Sequence, residues 1–282
     1  MARIYLFPGQ GSQKIGMGAE LFKDFPKETA AVDVILGYSV EELCVQDPHQ
    51  RLNRTDFTQP ALYVVNALTY LKATQATGVR PDFVAGHSLG EYDALFAAGV
   101  FDFLTGLKLV RKRGQLMSLA RAGGMAAVIG VTPDRVRSIL LENNLGSIDI
   151  ANLNSPTQTV LSGTEQDIRD AQPVFEKAGV RRYLPLNVSG AFHSRYMQPA
   201  REEFERFLQN FQFAPPRIPV MANATARPYQ PGEAARNLGL QITSSVRWVE
   251  TIQYLLQQPD PQFEEIGPGT VLTGLLRQIR TP

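Results

Sequence analysis

The chain has 282 residues, 44% of them hydrophobic and 20% charged, which is typical of a globular protein with a sizeable buried core. Its 28 Lys and Arg residues nearly balance 27 Asp and Glu residues, and a net charge of +1 argues against a nucleic-acid-binding protein, which is usually strongly basic. No apolar run approaches the roughly 18 residues that a membrane-spanning helix needs, so we expect neither a nucleic-acid nor a membrane partner.

The N-terminal segment predicts a short buried strand over residues 3–7, closed by Pro8 and by a glycine-rich turn at residues 9–13. Its apolar part is too short for a signal peptide. The only cysteine is Cys44, which leaves no disulfide framework and no thiolate metal cluster, as in proteins of a reducing compartment. We therefore expect a cytoplasmic protein with no bound metal.

The first chemical signal follows a predicted helix at residues 62–71. An apolar strand at 82–85 and a stretch of helix formers at 91–98 flank the segment Gly-His-Ser-Leu-Gly, which is centred on Ser88. Gly-x-Ser-x-Gly between a strand and a helix is typical of a nucleophile elbow, a tight turn that exposes the serine hydroxyl to the amides at the helix start. Ser88 is therefore the candidate nucleophile; the alternative is a glycine-bracketed turn that contains a serine by chance.

A second signal is an arginine on the apolar face of the next predicted helix, which spans residues 104–120. At about 100° per residue, Arg113 projects from an arc formed by Leu109, Val110, Leu116 and Met117. A guanidinium in an apolar arc is costly unless it is paired. Arg113 is expected either to form an internal salt bridge or to bind a substrate carboxylate in a bidentate manner. The second hypothesis would make the substrate of Ser88 a small thioester whose other end is anionic.

Residues 125–188 show a different alternation, which predicts the element order β-α-β-β-α-β of a ferredoxin-like unit. Thr132 and Thr164 are the predicted caps of its two helices. The chain then returns to alternating helices and strands. We expect an α/β protein with a parallel-sheet core, in which a small ferredoxin-like subdomain at 125–188 separates the two parts of the large subdomain, 1–124 and 189–282.

A catalytic serine needs a base, and the chain offers only three histidines. The side chain of His87 should leave the turn in another direction, and His49 lies in a polar, surface-like segment. His193 follows the last strand of the small unit, at a junction that could present it to Ser88. Since no acidic residue is an evident third member, a backbone carbonyl or an amide side chain is expected to orient the imidazole. A second oxyanion donor is expected from the glycine-rich turn at residues 9–13.

Several motifs in this order resemble the malonyl-CoA:acyl-carrier-protein transacylases, the acyltransferase family of fatty-acid and polyketide synthesis. They are FPGQGSQ, TQPAL, GHSLGEY, RGQLM, NSPTQTVLSG, AFHS and IGPGTVLTGL, and they extend over nearly the whole chain. The resemblance implies a hydrolase-like α/β core with an inserted ferredoxin-like subdomain. It also implies a ping-pong transfer of malonyl from malonyl-CoA to an acyl carrier protein, with malonyl-CoA as substrate and no cofactor.

The resemblance also implies a role for each site residue. Ser88 is the expected nucleophile and His193 the general base and then acid. The backbone amides of Gln10 and Leu89 form the expected oxyanion hole, and Arg113 holds the malonyl carboxylate. Gln241 is matched to the position whose main-chain carbonyl orients the histidine.

Two features of the sequence refine this resemblance. The Ala-Phe-His motif before Ser194 is similar to the malonyl-selecting form, although Gly190 replaces a histidine often found before it in modular synthases. The segment 36–72 most resembles the discrete acyltransferases that serve polyketide synthases in trans. The alternatives are a housekeeping malonyl transacylase of fatty-acid synthesis, a serine hydrolase that clears carrier proteins, and a catalytically silent module that binds them.

Overall fold

The computed structural model describes residues 1–120 and 123–280, which form two β-sheets surrounded by helices. The strands are, in chain order, β1 (Ala2–Phe7), β2 (Phe83–Gly86), β3 (Gly123–Ile129), β4 (Asp149–Ser155), β5 (Gln158–Thr164), β6 (Arg182–Pro185), β7 (Val220–Ala222), β8 (Arg227–Pro228) and β9 (Pro261–Glu265).

The helices fall between these strands. They are α1 (Ala19–Asp24), α2 (Pro26–Leu36), α3 (Val40–Val45), α4 (Thr55–Thr77), α5 (Gly90–Ala97), α6 (Phe103–Ser118), α7 (Pro133–Glu142), α8 (Glu165–Lys177), α9 (Gln198–Leu208), α10 (Ala234–Gln241), α11 (Trp248–Leu256) and α12 (Val271–Arg280). None of the helices described here is both long and apolar enough to cross a membrane.

The larger sheet has the order β8-β7-β2-β1-β9, and its central strands are parallel. The register pairs Phe7 with Gly86, so β1 and β2 end at the same edge. The glycine-rich turn after β1 and the serine turn after β2 therefore lie side by side. Ligand sites of open α/β sheets are found outside the carboxyl ends of such strands.

Both faces of this sheet are buried, as β1 illustrates. Ile4 and Leu6 pack into a cluster around Trp248, whereas Tyr5 and Phe7 pack into the larger cluster on the opposite face. Side chains alternate between the two faces of a strand, and burial of both faces explains why this strand is apolar from Ile4 to Phe7.

The smaller sheet, of order β4-β5-β3-β6, is antiparallel, and α7 and α8 pack against it. Thr132 and Thr164 cap these helices by accepting hydrogen bonds from Arg135 N and Asp167 N. The predicted element order is confirmed, and so is the α/β fold class. The exact division at residues 124 and 188 stays a prediction; the sheet itself runs from Gly123 to Pro185.

Two features of the N-terminal part differ from the sequence analysis. Helices α1 to α3 were not predicted: α1 and α3 have only six residues each, and α2 buries three of its eleven. Helix α4 begins at Thr55 rather than near residue 62, so that Pro60 lies inside it. Pro60 has no N–H to donate, so the helix lacks one backbone hydrogen bond in its second turn.

Candidate active site

The predicted nucleophile occupies a strained turn between β2 and α5. Ser88 has a φ of 52°, in the left-handed region that non-glycine residues seldom adopt. Asn223 holds this turn from both sides: Ser88 N donates to Asn223 Oδ1 at 2.7 Å, and Asn223 Nδ2 donates to Gly86 O at 2.7 Å. A neighbouring strand thus fixes a conformation that would cost about 1–3 kcal/mol if it were unsupported.

The two glycines of the motif are required by close backbone approach. A Cβ atom on Gly86 would lie 1.9 Å from the carbonyl carbon of Gly90, and one on Gly90 would lie 2.0 Å from Phe7 O. Any side chain at either position would therefore push α5 away from the sheet. This tight packing of helix on strand presents the Ser88 hydroxyl at the sheet edge.

His193 lies against this serine. Ser88 Oγ and His193 Nε2 are 2.7 Å apart, and His193 Nδ1 is 2.9 Å from the main-chain oxygen of Gln241. Because a carbonyl oxygen only accepts, Nδ1 carries the proton and Nε2 is left free to accept from the serine. The orienting group is thus a backbone carbonyl rather than a carboxylate.

The surroundings of His193 keep the imidazole neutral. Burial and the nearby Arg113 charge lower the pKa of His193 to about 3, against the opposing effect of the carbonyl of Gln241. A neutral imidazole can take a proton from Ser88 without first losing one of its own. The pair is therefore in the protonation state that general-base catalysis needs over the physiological pH range.

The other two histidines lie where the sequence suggested. His49 is exposed. His87 turns away from Ser88, with its Nε2 2.8 Å from Asn154 Oδ1 and its ring edge against Trp248. Burial lowers the pKa of His87, so this imidazole also stays neutral.

Arg113 is 1% exposed and reaches the serine from α6. Its Nη2 donates to Ser88 Oγ at 3.2 Å and to Gln241 Oε1 at 2.9 Å, and its Nη1 donates to Gln59 Oε1 at 2.8 Å. All three acceptors are neutral, and Arg113 Nε has no acceptor among the described residues. The hypothesis of an internal salt bridge is therefore wrong for the part of the chain described, and a buried cation beside the nucleophile is ready to bind an anion.

The expected oxyanion donors lie at the same edge. The turn after β1 packs onto the serine turn so closely that a Cβ atom on Gly9 would lie 2.4 Å from His87 O. Neither the Gln10 nor the Leu89 amide has a recorded acceptor in the described structure, and Thr55 Oγ1 accepts from Gln10 Nε2 at 3.4 Å. Two amides without an acceptor, on adjacent turns, are thus available to a developing oxyanion.

The chain matches the acyl transferase domain family over residues 4–279. It belongs to this acyltransferase family. The chain is 56% identical over 277 residues to the polyketide biosynthesis malonyl CoA-acyl carrier protein transacylase PksC of Bacillus subtilis (strain 168), covering 98% of this chain and 96% of PksC.

Solved structures agree with the assignment of this chain to the acyltransferase family. A malonyl CoA-acyl carrier protein transacylase from Burkholderia pseudomallei superposes with a TM-score of 0.97 at 50% identity, covering 100% of this chain and 99% of that one. A type II PKS acyl-carrier protein in complex with its malonyl-transacylase matches with a TM-score of 0.94 at 37% identity, covering 99% and 93% of the two chains.

The acyltransferase site contains residues that the sequence analysis did not single out. Asn223 holds the serine turn, Gln59 accepts from Arg113, and Glu91 accepts from Gln241 Nε2 at 2.6 Å. One signal was available for Glu91, since it and Asp93 are the only charged residues of the short helix α5. Gln59 lies in the TQPAL motif, whereas Asn223 lies outside every motif named above.

A cavity of about 1130 Å³ reaches His193 from the side of the small sheet. Its walls include Leu140 and Asp149 from the small unit, and Ser244 and Arg247 from the segment after α10. His193 can therefore be approached from the space between the two sheets.

In the described residues no group of three or more His, Cys, Asp or Glu side chains is placed to hold a metal ion.

Proposed function

We propose that the chain transfers a malonyl group from malonyl-CoA to the phosphopantetheine thiol of an acyl carrier protein, through an ester on Ser88. The observation that carries this proposal is the placement of a buried, unpaired guanidinium beside the nucleophile. Arg113 Nη2 lies 3.2 Å from Ser88 Oγ, and His193 Nε2 lies 2.7 Å from the same oxygen. An acyl group with a second, ionised carboxylate suits this site, whereas a neutral acyl chain makes no use of the charge.

In the first half-reaction, Ser88 Oγ attacks the thioester carbonyl while its proton passes to His193 Nε2. The amides of Gln10 and Leu89 hold the resulting oxyanion, and the Gln241 carbonyl stabilises the imidazolium by accepting from Nδ1. The carbon–sulfur bond then breaks, and His193 returns the proton to the departing CoA thiolate. The product is a malonyl ester of Ser88.

In the second half-reaction, the thiol of the carrier protein takes the place of CoA. His193 removes the thiol proton, the sulfur attacks the ester carbonyl, and the proton returns to Ser88 Oγ as the carbon–oxygen bond breaks. The proposed chemistry uses only protein groups and the two thioester carriers, with no cofactor. The thiol must react faster than water, so we expect the loaded site to exclude or misplace water.

We further propose that the enzyme serves a polyketide synthase in trans. The support is the 56% identity to PksC, whose name assigns it to polyketide biosynthesis. The alternative is a housekeeping enzyme of fatty-acid synthesis, because the malonyl CoA-acyl carrier protein transacylase of Escherichia coli (strain K12) is 38% identical over 283 residues. Loading rates on carrier proteins from the two pathways, measured side by side, distinguish these assignments.

We place the enzyme in the cytoplasm, where Cys44 stays a buried free thiol.

The first test is intact-protein mass spectrometry after mixing with malonyl-CoA, with Ser88→Ala run alongside. We expect a malonyl adduct on the wild type and none on the variant. Release of CoA without an adduct would identify a hydrolase instead. Absence of both would show that the site is silent or uses another donor.

A further inference from the structure

Glu91 is a fully buried carboxylate that the proposed reaction does not use. It lies in the first turn of α5, three residues after the nucleophile, and is 0% exposed. Its Oε2 accepts from Gln241 Nε2 at 2.6 Å and from Asn223 N at 3.2 Å, and its Oε1 accepts from the Tyr229 hydroxyl. Three donors from remote segments thus converge on one side chain beneath the active site.

This carboxylate is one of three groups that set the orientation of the Gln241 amide. An ionised carboxylate can only accept hydrogen bonds, so it requires the NH₂ end of the amide. The same Nε2 also donates to Ser88 O at 2.8 Å, which uses its second hydrogen. The oxygen of the amide must then face the other way, and it accepts from Arg113 Nη2 at 2.9 Å. Ser88 O and Arg113 favour the same orientation, and the carboxylate adds to it a hydrogen bond to a charged acceptor, which is stronger than one to a neutral acceptor.

The orientation matters because Arg113 is held by neutral acceptors alone. Gln241 Oε1 and Gln59 Oε1 fix its two terminal nitrogens and leave its charge uncompensated by direct contact. Glu91 compensates that charge through the intervening amide. Burial raises the pKa of Glu91 to about 7 and outweighs its three donors and the Arg113 charge, which each lower the pKa. Glu91 is therefore mostly ionised, and orients the amide, only above about pH 7.

We propose that Glu91 is a positioning residue for acyl-group selection: through the Gln241 side chain it holds Arg113 in the orientation that receives the free carboxylate of the substrate. This inference rests on the proposed malonyl transfer. Glu91 does not touch the substrate. Its effect is specific to acyl groups that carry a carboxylate, because an acetyl group makes no contact with the guanidinium charge.

The test compares Glu91→Gln with the wild type in loading from malonyl-CoA and from acetyl-CoA. Assays are run at pH 8, above the pKa of Glu91. We expect the ratio of the two kcat/KM values to fall about tenfold, as for the replacement of a charged hydrogen-bond acceptor by a neutral one. Acetyl loading should fall by less than about threefold. Equal losses for both donors would mean that Glu91 merely supports the serine turn, and would overturn the proposal.

Asp93→Asn is the matched control, because Asp93 is also a fully buried carboxylate of α5 and accepts from Asn66 Nδ2 at 2.9 Å. We expect this variant to leave the malonyl-to-acetyl ratio unchanged. In an Arg113→Ala background, Glu91→Gln should lower the ratio no further. A further fall there, or an equal fall in Asp93→Asn, would refute an action through Arg113.

A milder variant covers the case in which Glu91→Gln does not fold. Tyr229→Phe removes only the hydroxyl that contacts Oε1. We expect a decrease of about threefold in the same ratio, and an unchanged ratio in a folded Tyr229→Phe protein would overturn the inference. If the wild type itself forms no malonyl adduct, the proposed function fails and the inference fails with it. If the wild type loads normally and the malonyl-to-acetyl ratio is unaltered in the variants, only the inference is refuted.

Discussion

Replacement of Arg113 by alanine is the most direct test of acyl-group selection. The guanidinium is 1% exposed, so a carboxylate bound to it would be almost completely desolvated. Truncation of one partner of a buried, hydrogen-bonded charge pair costs about 2–5 kcal/mol. Since each 1.4 kcal/mol is tenfold, kcat/KM for malonyl-CoA should fall by roughly 30- to 3,000-fold.

Acetyl-CoA provides the internal comparison for Arg113→Ala. For an acetyl donor, the variant loses the long contact of 3.2 Å between Arg113 Nη2 and Ser88 Oγ and the lowering effect of the Arg113 charge on the pKa of His193. We expect acetyl loading to change by less than about tenfold, as for one ordinary hydrogen bond. The assay is the rate of acyl-serine formation from each donor, followed by quenched-flow mass spectrometry.

Arg111→Ala is the control, because Arg111 lies on the same helix but donates to Ile35 O, away from the serine. It should leave both loading rates close to those of the wild type. Equal losses for malonyl and acetyl groups in Arg113→Ala would refute the assignment of Arg113 to the carboxylate.

Three further predictions concern the frame around the serine. Asn223→Ala removes both hydrogen bonds that hold the strained turn. We expect kcat for acyl-serine formation to fall roughly 10- to 100-fold for malonyl and acetyl donors alike. A loss confined to the malonyl donor would contradict this prediction. Gly90→Ala places a methyl group 2.0 Å from Phe7 O. We expect a lowered melting temperature and no labelling of Ser88 by a serine-reactive fluorophosphonate. A melting temperature equal to that of the wild type would contradict the packing argument. The pKa of His193 falls on folding from 6.5 to about 3, so its contribution to stability is fully present above pH 6.5 and is lost as the pH falls towards 3. Urea unfolding of His193→Gln should therefore show a weaker pH dependence in that range than the wild type, and identical slopes would contradict it.

The parts of the site that could be predicted from sequence depend on residue types that stand out. A chain with three histidines leaves few candidates for a base, and a cation within an apolar arc is conspicuous wherever it occurs. The Gly-x-Ser-x-Gly segment was recognisable for a different reason. A Cβ atom on either of its glycines would lie about 2 Å from a backbone atom, so the pattern itself is a consequence of the packing.

The hydrogen-bond network could not be predicted in the same way. Asn223, Gln241 and Tyr229 come from segments more than a hundred residues beyond Ser88, and the direction of each hydrogen bond depends on how the folded strands and helices meet. Helix α5 was a partial exception. It is buried over most of its length, and a polar residue such as Glu91 in a buried helix must find partners.

Arg113 connects acyl-group selection to the strength of the base. Its charge is the second largest cause, after burial, of the low pKa of His193. A carboxylate bound to the guanidinium would offset that charge and so raise the pKa of the imidazole towards its ordinary value. In the proposed reaction, the arrival of a malonyl group therefore strengthens the base that deprotonates Ser88, whereas an acetyl group leaves the base weak. Selection then acts on the chemical step as well as on binding, because the same guanidinium contacts the acyl group and sets the proton affinity of His193.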